Sequence, residues 1–274
     1  MKNPFDVEQF MGKVENLIEY MNDAEDPPVL SPQRYRAVKK EVLPALEKLE
    51  DVLRRMDPVR RPERILDPSD PRVVGRLIAL AMLAQPRTGL DDLERFYGSG
   101  VYALYYEGTL EAYAPISGTD HPVYVGKASP KDVGATTIEE QGEKLFERLR
   151  KHRQSIREAK NLESSDFTYR ALVVKSAWQS TAEEYLIRTF TPIWNKETKI
   201  CFGFGKHGDS SDTRANTRSP WDTLHPGRPW TLTAATVENT KSPGDIQKEI
   251  LAHFGRLGSI VEVDTLWKET LKQI

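Results

Sequence analysis

Residues 98–106 read GSGVYALYY, and this stretch decides the fold class. Tyrosine and β-branched residues suit a pleated, half-buried surface, and glycines commonly open or end a strand. The stretch therefore predicts a β-strand over 100–107. Because successive side chains of a strand point to opposite faces, Tyr102 and Tyr106 share one face and Tyr105 lies on the other. These tyrosines either pack in a core that satisfies their hydroxyl groups or serve a chemical function.

Four further segments complete a small domain around this strand. Apolar alternation predicts strands over 122–128 and 167–175, and helical spacing predicts helices over 139–160 and 181–190. Together with the first strand, the order is β-β-α-β-α. We therefore expect an α/β domain of the α+β type, with a small three-stranded antiparallel sheet flanked by helices.

The rest of the chain predicts extensions on both sides of a core at 95–200. Residues 1–60 show helical periodicity, and residues 61–94 contain a proline-rich linker and a short apolar helix. Residues 201–274 begin as a loop and end in helices. In the first extension an apolar stripe has heptad spacing: Val42, Leu46, Leu49, Leu53 and Met56. The stripe predicts packing on the core or a seam between two subunits, and Pro44 within it favours the core.

The composition excludes several classes of protein. A formal net charge of -2, with 38% hydrophobic residues, indicates a globular chain and argues against purely charge-driven DNA binding. The single cysteine, Cys201, excludes an intramolecular disulfide and a cysteine-based metal cluster. No signal peptide is expected, and the longest apolar run, LIALAMLA, is far below the roughly 20 residues that span a bilayer. We therefore expect a cytoplasmic protein without a membrane role.

Polar residues follow the predicted strands and helices at regular positions. Tyr124, Gly126 and Lys127 lie on the second strand, where glycine permits close approach and lysine places a positive charge. On the next helix Arg148 and His152 are four residues apart and share one face. They belong to a basic patch that also contains Lys144, Arg150, Lys151, Arg153, Arg157 and Lys160.

The last helix of the core carries two adjacent carboxylates, Glu183 and Glu184. One of them must point inward if the neighbouring apolar residues Tyr185, Ile187 and Phe190 are distributed over the buried positions of the helix. Asn195 follows within TPIWNK, where this element ends.

These motifs resemble the GIY-YIG nuclease superfamily. The segments GVYALYYEG, PVYVGKA, AEEYLIRTFTPIWN and WDTLHPGR are similar to the type II restriction endonucleases that cleave CCGCGG. The resemblance covers about residues 95–200, and WDTLHPGR lies beyond that range. Valine replaces isoleucine in both tyrosine motifs. A long link, TLEAYAPISGTDH, separates them and leaves Tyr106 as a rival to Tyr102.

The resemblance implies a Mg²⁺-dependent nuclease that cuts double-stranded DNA at a specific site as a homodimer. It implies the catalytic set Tyr102, Tyr124, Arg148, His152, Glu183 and Asn195, which Lys127 assists. Glu183 would hold the metal with water and phosphate oxygens, and Arg148 would contact the scissile phosphate. Tyr102, aided by His152, would accept a proton from the attacking water. We expect nearby cations, namely Arg148, Lys127 and the metal, to lower the pKa of Tyr102.

DNA contacts are expected from two regions. The helix provides Arg150 and Lys151, and the C-terminal extension provides Arg214, Arg218, His225 and Arg228. The arginines are candidates for guanine edges, with phosphate contact as the alternative. The expected target is a GC-rich palindrome, and CCGCGG is the preferred candidate sequence. A second metal site at His207, Asp209 and His225 is not favoured, because their spacing is irregular.

Two other functions are compatible with these motifs. A repair or mobile-element nuclease with loose specificity would usually carry a separate DNA-binding module, and we identify none. A catalytically inactive DNA-binding protein would have no reason to retain the whole polar set. A restriction nuclease is therefore the preferred hypothesis.

Overall fold

The computed structural model describes residues 6–22, 29–59, 62, 65–132, 134–175, 178–205, 217–232, 237–257 and 264–268. The chain divides into two units, Met1–Glu63 and Arg64–Ile274. None of the helices in these described ranges has the length and apolar character that a membrane span requires.

The first unit contains the helices α1 (Val7–Asn22) and α2 (Pro32–Met56). Ser31 caps α2, because its hydroxyl oxygen accepts a hydrogen bond from the backbone N–H of Arg34, and Pro32 suits the first turn. No residue of α2 is buried, and four of the five residues of the heptad stripe are between 41% and 50% exposed: Val42, Leu46, Leu53 and Met56. Packing of this stripe on the core and a seam between two subunits both remain predictions.

The second unit is built on a four-stranded antiparallel sheet. Its strands are β1 (Thr88–Gly89), β2 (Gly100–Tyr106), β3 (Tyr124–Ala128) and β4 (Phe167–Val173), in the spatial order β1-β4-β2-β3. The three predicted strands are confirmed, but the predicted number is wrong. The additional strand β1 has two residues, which is too short for any alternation to reveal it.

Helices cover both faces of the sheet. On the face of Tyr105, α3 (Pro71–Leu83) and α6 (Gln179–Phe190) contribute to one apolar cluster. On the face of Tyr102, α5 (Lys144–Glu158) packs through Leu145 and Leu149. The predicted helix over 139–160 is split, because a short helix α4 (Ile138–Gln141) ends at Gly142, which has a left-handed φ of 73°.

The C-terminal segment packs against the sheet rather than extending away from it. It contains α7 (Pro220–Leu224) and α8 (Pro243–Leu257). Trp221 of α7 and Ile246 and Ile250 of α8 are buried in the same cluster as Tyr102. The described residues 201–204 and the helices α7 and α8 therefore share one hydrophobic core with the strands.

Candidate active site

The site is organised around Tyr102 on the central strand β2. Tyr102 lies opposite Gly126 of β3 and is buried, with 1% of its surface exposed. A Cβ atom at Gly126 would collide with the Tyr102 hydroxyl, so only glycine leaves room for this ring. The glycine of the YVG motif is thus explained by the position of a tyrosine on the neighbouring strand.

Three rings meet at this point. The hydroxyl group of Tyr102 is 2.7 Å from Nε2 of His152 on α5, which is a buried hydrogen bond. Tyr124 lies beside both rings, with centroid distances of 6.2 Å to Tyr102 and 5.1 Å to His152. The structure therefore brings together the two tyrosines and the histidine that the motifs predict.

The rival tyrosine of β2 has a different role. The hydroxyl oxygen of Tyr106 accepts a hydrogen bond of 2.8 Å from the backbone N–H of Leu110, and its ring packs against Tyr113 and Phe167. Tyr105 lies on the opposite face, as predicted from alternation, under the guanidinium group of Arg87. Tyr102 is thus the tyrosine of this strand that contacts His152.

Burial dominates the acidity of both tyrosines. It raises the pKa of Tyr102 well above its usual value, although the charge of Arg148 acts in the opposite direction. Burial, followed by the nearby charge of Glu183, raises the pKa of Tyr124 to about 12. In the protein without a metal ion, desolvation of Tyr102 outweighs the charge of Arg148, and the lowering of its pKa expected with a metal ion present remains a prediction.

An open cleft of about 840 Å³ adjoins the ring cluster. Tyr124 and Glu183 line it together with Asn195, Glu197 and Arg218. Tyr102 and His152 are each 1% exposed and lie behind Tyr124. Tyr124 is consequently the aromatic residue through which the buried pair meets the cleft.

Glu183 is the carboxylate of α6 that faces the site, whereas Glu184 is exposed. Its Oε2 atom is 3.0 Å from Nζ of Lys127. Burial raises the pKa of Glu183, Lys127 lowers it in part, and the charge of Glu197 raises it further. Lys127 therefore acts on Glu183, and its Nζ also donates to the Ser180 hydroxyl group at 3.1 Å.

Asn195 binds the backbone of β3. Its Oδ1 accepts from the N–H of Val125 at 2.9 Å, and its Nδ2 donates to the carbonyl oxygen of Val125 at 2.8 Å. Both ends of the amide are thus used to hold the strand that carries Tyr124. The predicted role of Asn195 in catalysis remains a prediction, and its described hydrogen bonds are to the backbone of β3.

The predicted cations on α5 are accessible to a large ligand. Arg148, Arg150 and Lys151 are all exposed, and the charge of Arg148 reaches both Tyr102 and Tyr124. In the C-terminal segment, Arg218 lines the cleft and forms an ion pair of 2.9 Å with Glu238. The candidates Arg214, His207 and Asp209 lie outside the described residues.

Two predicted DNA contacts are contradicted by burial. Arg228 is 1% exposed, and its Nε atom is 2.6 Å from Oδ1 of Asp222, which is equally buried. His225 has no exposed surface; its Nε2 meets the Tyr113 hydroxyl, and its Nδ1 is 3.0 Å from Oδ1 of Asn161. Burial also lowers the pKa of His225 to about 3. Neither side chain can reach DNA, because each is enclosed in the core.

Two residues of the site have no signal in the sequence pattern. Phe204 stacks on His152 with a centroid distance of 4.4 Å and an angle of 19° between the rings. Glu197 lines the cleft and influences the pKa of Glu183. Phe204 lies in a turn and Glu197 in a 3-10 helix of three residues, and both segments are too short for periodicity to indicate which side chains turn inward.

The family comparison agrees with this geometry. A family model described as RE_Eco29kI, the Eco29kI GIY-YIG domain, matches residues 94–254, more than half of the chain. The chain belongs to this family. The Eco29kI GIY-YIG match includes α7 and α8 up to residue 254, and both helices share the core of the sheet. A search of curated proteins gave no match. The chain is thus a nuclease with the domain of a restriction endonuclease, and its substrate is DNA.

Proposed function

We propose that the protein is a type II restriction endonuclease that hydrolyses double-stranded DNA with Mg²⁺. One observation carries the proposal. The hydrogen-bonded pair of Tyr102 and His152 lies behind Tyr124, and Tyr124 and Glu183 line the same cleft. Phosphodiester hydrolysis requires a proton acceptor close to a site that stabilises negative charge on phosphate. This cleft offers groups suited to both tasks.

The residues of the cleft fit a magnesium ion. Glu183 offers hard oxygen ligands, and its raised pKa means that a nearby cation would stabilise its charged form. No group of three or more histidine, cysteine, aspartate or glutamate side chains in the described ranges could hold a metal ion. Magnesium, however, commonly uses one or two carboxylates and fills its other positions with water and phosphate oxygens. When bound, the ion would stabilise charge on the phosphate and on the leaving oxygen.

The attacking water would lose its proton to the tyrosine and histidine acting together. A free phenolate at Tyr102 is disfavoured, because burial raises its pKa well above the usual value. The 2.7 Å contact allows the Tyr102 hydroxyl to pass its proton to Nε2 of His152 while its oxygen accepts another. Tyr124, which lines the cleft, orients the water beside this pair. The step leaves the positive charge on the imidazole and the tyrosine neutral.

Exposed cations would hold the DNA. Arg148 is assigned to the scissile phosphate, because its charge acts on the hydroxyl groups of both site tyrosines. Lys151 lies three residues after Arg148, on the same side of the helix, and is assigned to a neighbouring phosphate. Arg150 lies on another side of α5 and, being exposed, is a further candidate for a phosphate contact. Arg218 lines the cleft and is the remaining described candidate for a guanine edge or a further phosphate.

We also propose a homodimer that works in the cytoplasm on a GC-rich palindrome, with CCGCGG as the first candidate. A palindrome has two-fold symmetry, so two identical subunits can each cut one strand. The sequence is the one associated with the matched Eco29kI family, and its guanine edges suit arginine. The exposed apolar stripe of α2 is the candidate seam between subunits.

Digestion of plasmid DNA with the purified protein and Mg²⁺ tests the proposal. Discrete fragments whose sequenced ends share one palindrome are expected. Nicks or smears would favour a nuclease of loose specificity, and unchanged plasmid would favour an inactive DNA-binding protein.

The metal assignment has a matched control in the adjacent glutamate. Glu183→Gln should lower the cleavage rate at least about a hundredfold and leave DNA affinity within about tenfold, because phosphate contacts remain. Glu184→Gln, on the exposed side of the same turn, should cleave like the wild type. Equal loss in both variants would contradict the assignment of the metal to Glu183.

A further inference from the structure

The loop around Phe204 forms one wall of the ring cluster. Phe204 is fully buried, stacks on His152 at 4.4 Å and meets Tyr124 edge-on at 5.3 Å. On its other side it contacts Trp194 and Trp221, with centroid distances of 4.5 and 5.2 Å. The imidazole of His152 is therefore held between a hydrogen bond in its plane and an aromatic ring on its face.

The backbone of this loop is held by one buried guanidinium group. Nη1 of Arg228 donates to the carbonyl oxygen of Phe204 at 3.1 Å, and Nη2 donates to that of Gly203 at 3.0 Å. Gly203 has a left-handed φ of 110°, and a Cβ atom there would collide with Ser219. The loop thus approaches α7 so closely that glycine is required.

Arg228 is itself fixed on three sides. Its Nε atom donates to Oδ1 of Asp222 at 2.6 Å, and the Ser219 hydroxyl group donates to the other oxygen of that carboxylate. The guanidinium group also lies 4.6 Å from the ring centroid of Trp221 and 5.4 Å from that of Trp230. A planar group with five donors suits this arrangement, whereas a lysine ammonium cannot span it.

We propose that Arg228 and Asp222 form a clamp through which Phe204 sets the orientation of His152 toward the Tyr102 hydroxyl. Arg228 and Phe204 are then positioning residues for the reaction, and the inference rests on the proposed function of the Tyr102–His152 pair. Arg228 and Asp222 cannot contact DNA directly, since both side chains are 1% exposed. Its effect must pass through the loop that it holds.

The full-length chain, free of DNA and labelled with ¹⁵N-histidine, gives a test that does not depend on cleavage. Five histidines are present, and a His152→Gln variant assigns the His152 imidazole signals. In Phe204→Leu these signals should shift, because the aromatic ring on the imidazole face is lost. Phe204→Tyr should keep an aromatic ring stacked on the imidazole of His152 and should give His152 signals like those of the wild type. Arg228→Lys should shift the His152 signals in the same direction as Phe204→Leu. Arg228→Lys replaces Phe204→Leu as the test variant if Phe204→Leu does not fold.

A second buried phenylalanine provides the matched control. Phe167 belongs to the same core cluster, and its described ring contacts are with Tyr106 and Trp194. Phe167→Leu should lose comparable thermal stability and leave the His152 signals in place. Cleavage by Phe204→Leu should show a kcat at least about tenfold lower, with KM within about threefold, because orientation rather than binding is disturbed.

Failure of this inference is distinguishable from failure of the proposed function. His152 signals that are identical in Phe204→Leu and the wild type, or equally shifted in Phe167→Leu, would overturn the clamp. A wild-type protein that leaves plasmid intact would overturn the proposed function and, with it, the catalytic meaning of the clamp. Wild-type kcat in both Phe204→Leu and Arg228→Lys would overturn the positioning role while the nuclease assignment stands.

Discussion

Replacing Tyr102 by phenylalanine separates chemistry from stability at the centre of the site. The change removes one oxygen and preserves the ring that packs in the core. Two effects should follow, because the hydroxyl group is both the proposed proton carrier and one partner of a buried hydrogen bond of 2.7 Å with His152. Each effect has its own assay and its own magnitude.

The cleavage rate should fall at least about a hundredfold, which is the low end for the loss of a general acid or base and corresponds to about 2.7 kcal/mol in the barrier. The free energy of unfolding should fall by about 1 to 3 kcal/mol, because a buried polar group loses its hydrogen-bond partner. Single-turnover cleavage measures the first effect, and urea denaturation monitored by circular dichroism measures the second.

Tyr106→Phe is the matched control for this prediction. Tyr106 lies on the same strand and the same face, is equally buried, and loses one hydrogen bond of 2.8 Å to the N–H of Leu110. It should therefore lose a similar amount of stability, with cleavage unchanged. Wild-type cleavage by Tyr102→Phe, or equal losses of rate in both variants, would refute the assignment of the proton carrier.

Three further outcomes are expected. Arg228→Met should lower the free energy of unfolding, measured by urea denaturation, by about 3 to 5 kcal/mol, because Asp222 is left buried without its cation. The salt dependence of DNA binding, measured by fluorescence anisotropy, should stay unchanged. Burial depresses the pKa of His225 to about 3, so the folded protein keeps this imidazole neutral at pH values where the unfolded chain is protonated. The resulting stability is complete above about pH 6.5 and is lost as the pH falls toward 3. His225→Gln should therefore show a smaller fall in Tm between about pH 6.5 and 4 than the wild type. Asn195→Ala should lower the free energy of unfolding by about 2 kcal/mol, because two hydrogen bonds to Val125 are lost.

The part of the site that lies on regular elements could be predicted from the sequence. Alternation placed Tyr102 and Tyr105 on opposite faces of β2, and the four-residue spacing placed Arg148 and His152 on one helix. Periods of two and about four residues are direct consequences of strand and helix geometry. The ring cluster therefore follows from the pattern once the strands are paired.

The fates of individual C-terminal side chains could not be predicted in this way. Arg228 looks like a DNA contact in the sequence, but Asp222 and two backbone carbonyl groups draw it into the core. His225 is enclosed by Tyr113 and Asn161, which come from distant parts of the chain. An arginine or histidine in a loop carries no local sign of whether its partner is a protein group or a phosphate.

The contacts along β3 also restrict how copies of this chain can associate. β3 is an outer strand of the described sheet, yet Asn195 occupies both backbone groups of Val125. A foreign strand that extended the sheet here would have to displace the side chain of Asn195. Edge-to-edge polymerisation is thereby blocked along this margin. Any partner subunit must dock elsewhere, so that assembly does not disturb the groups assigned to chemistry.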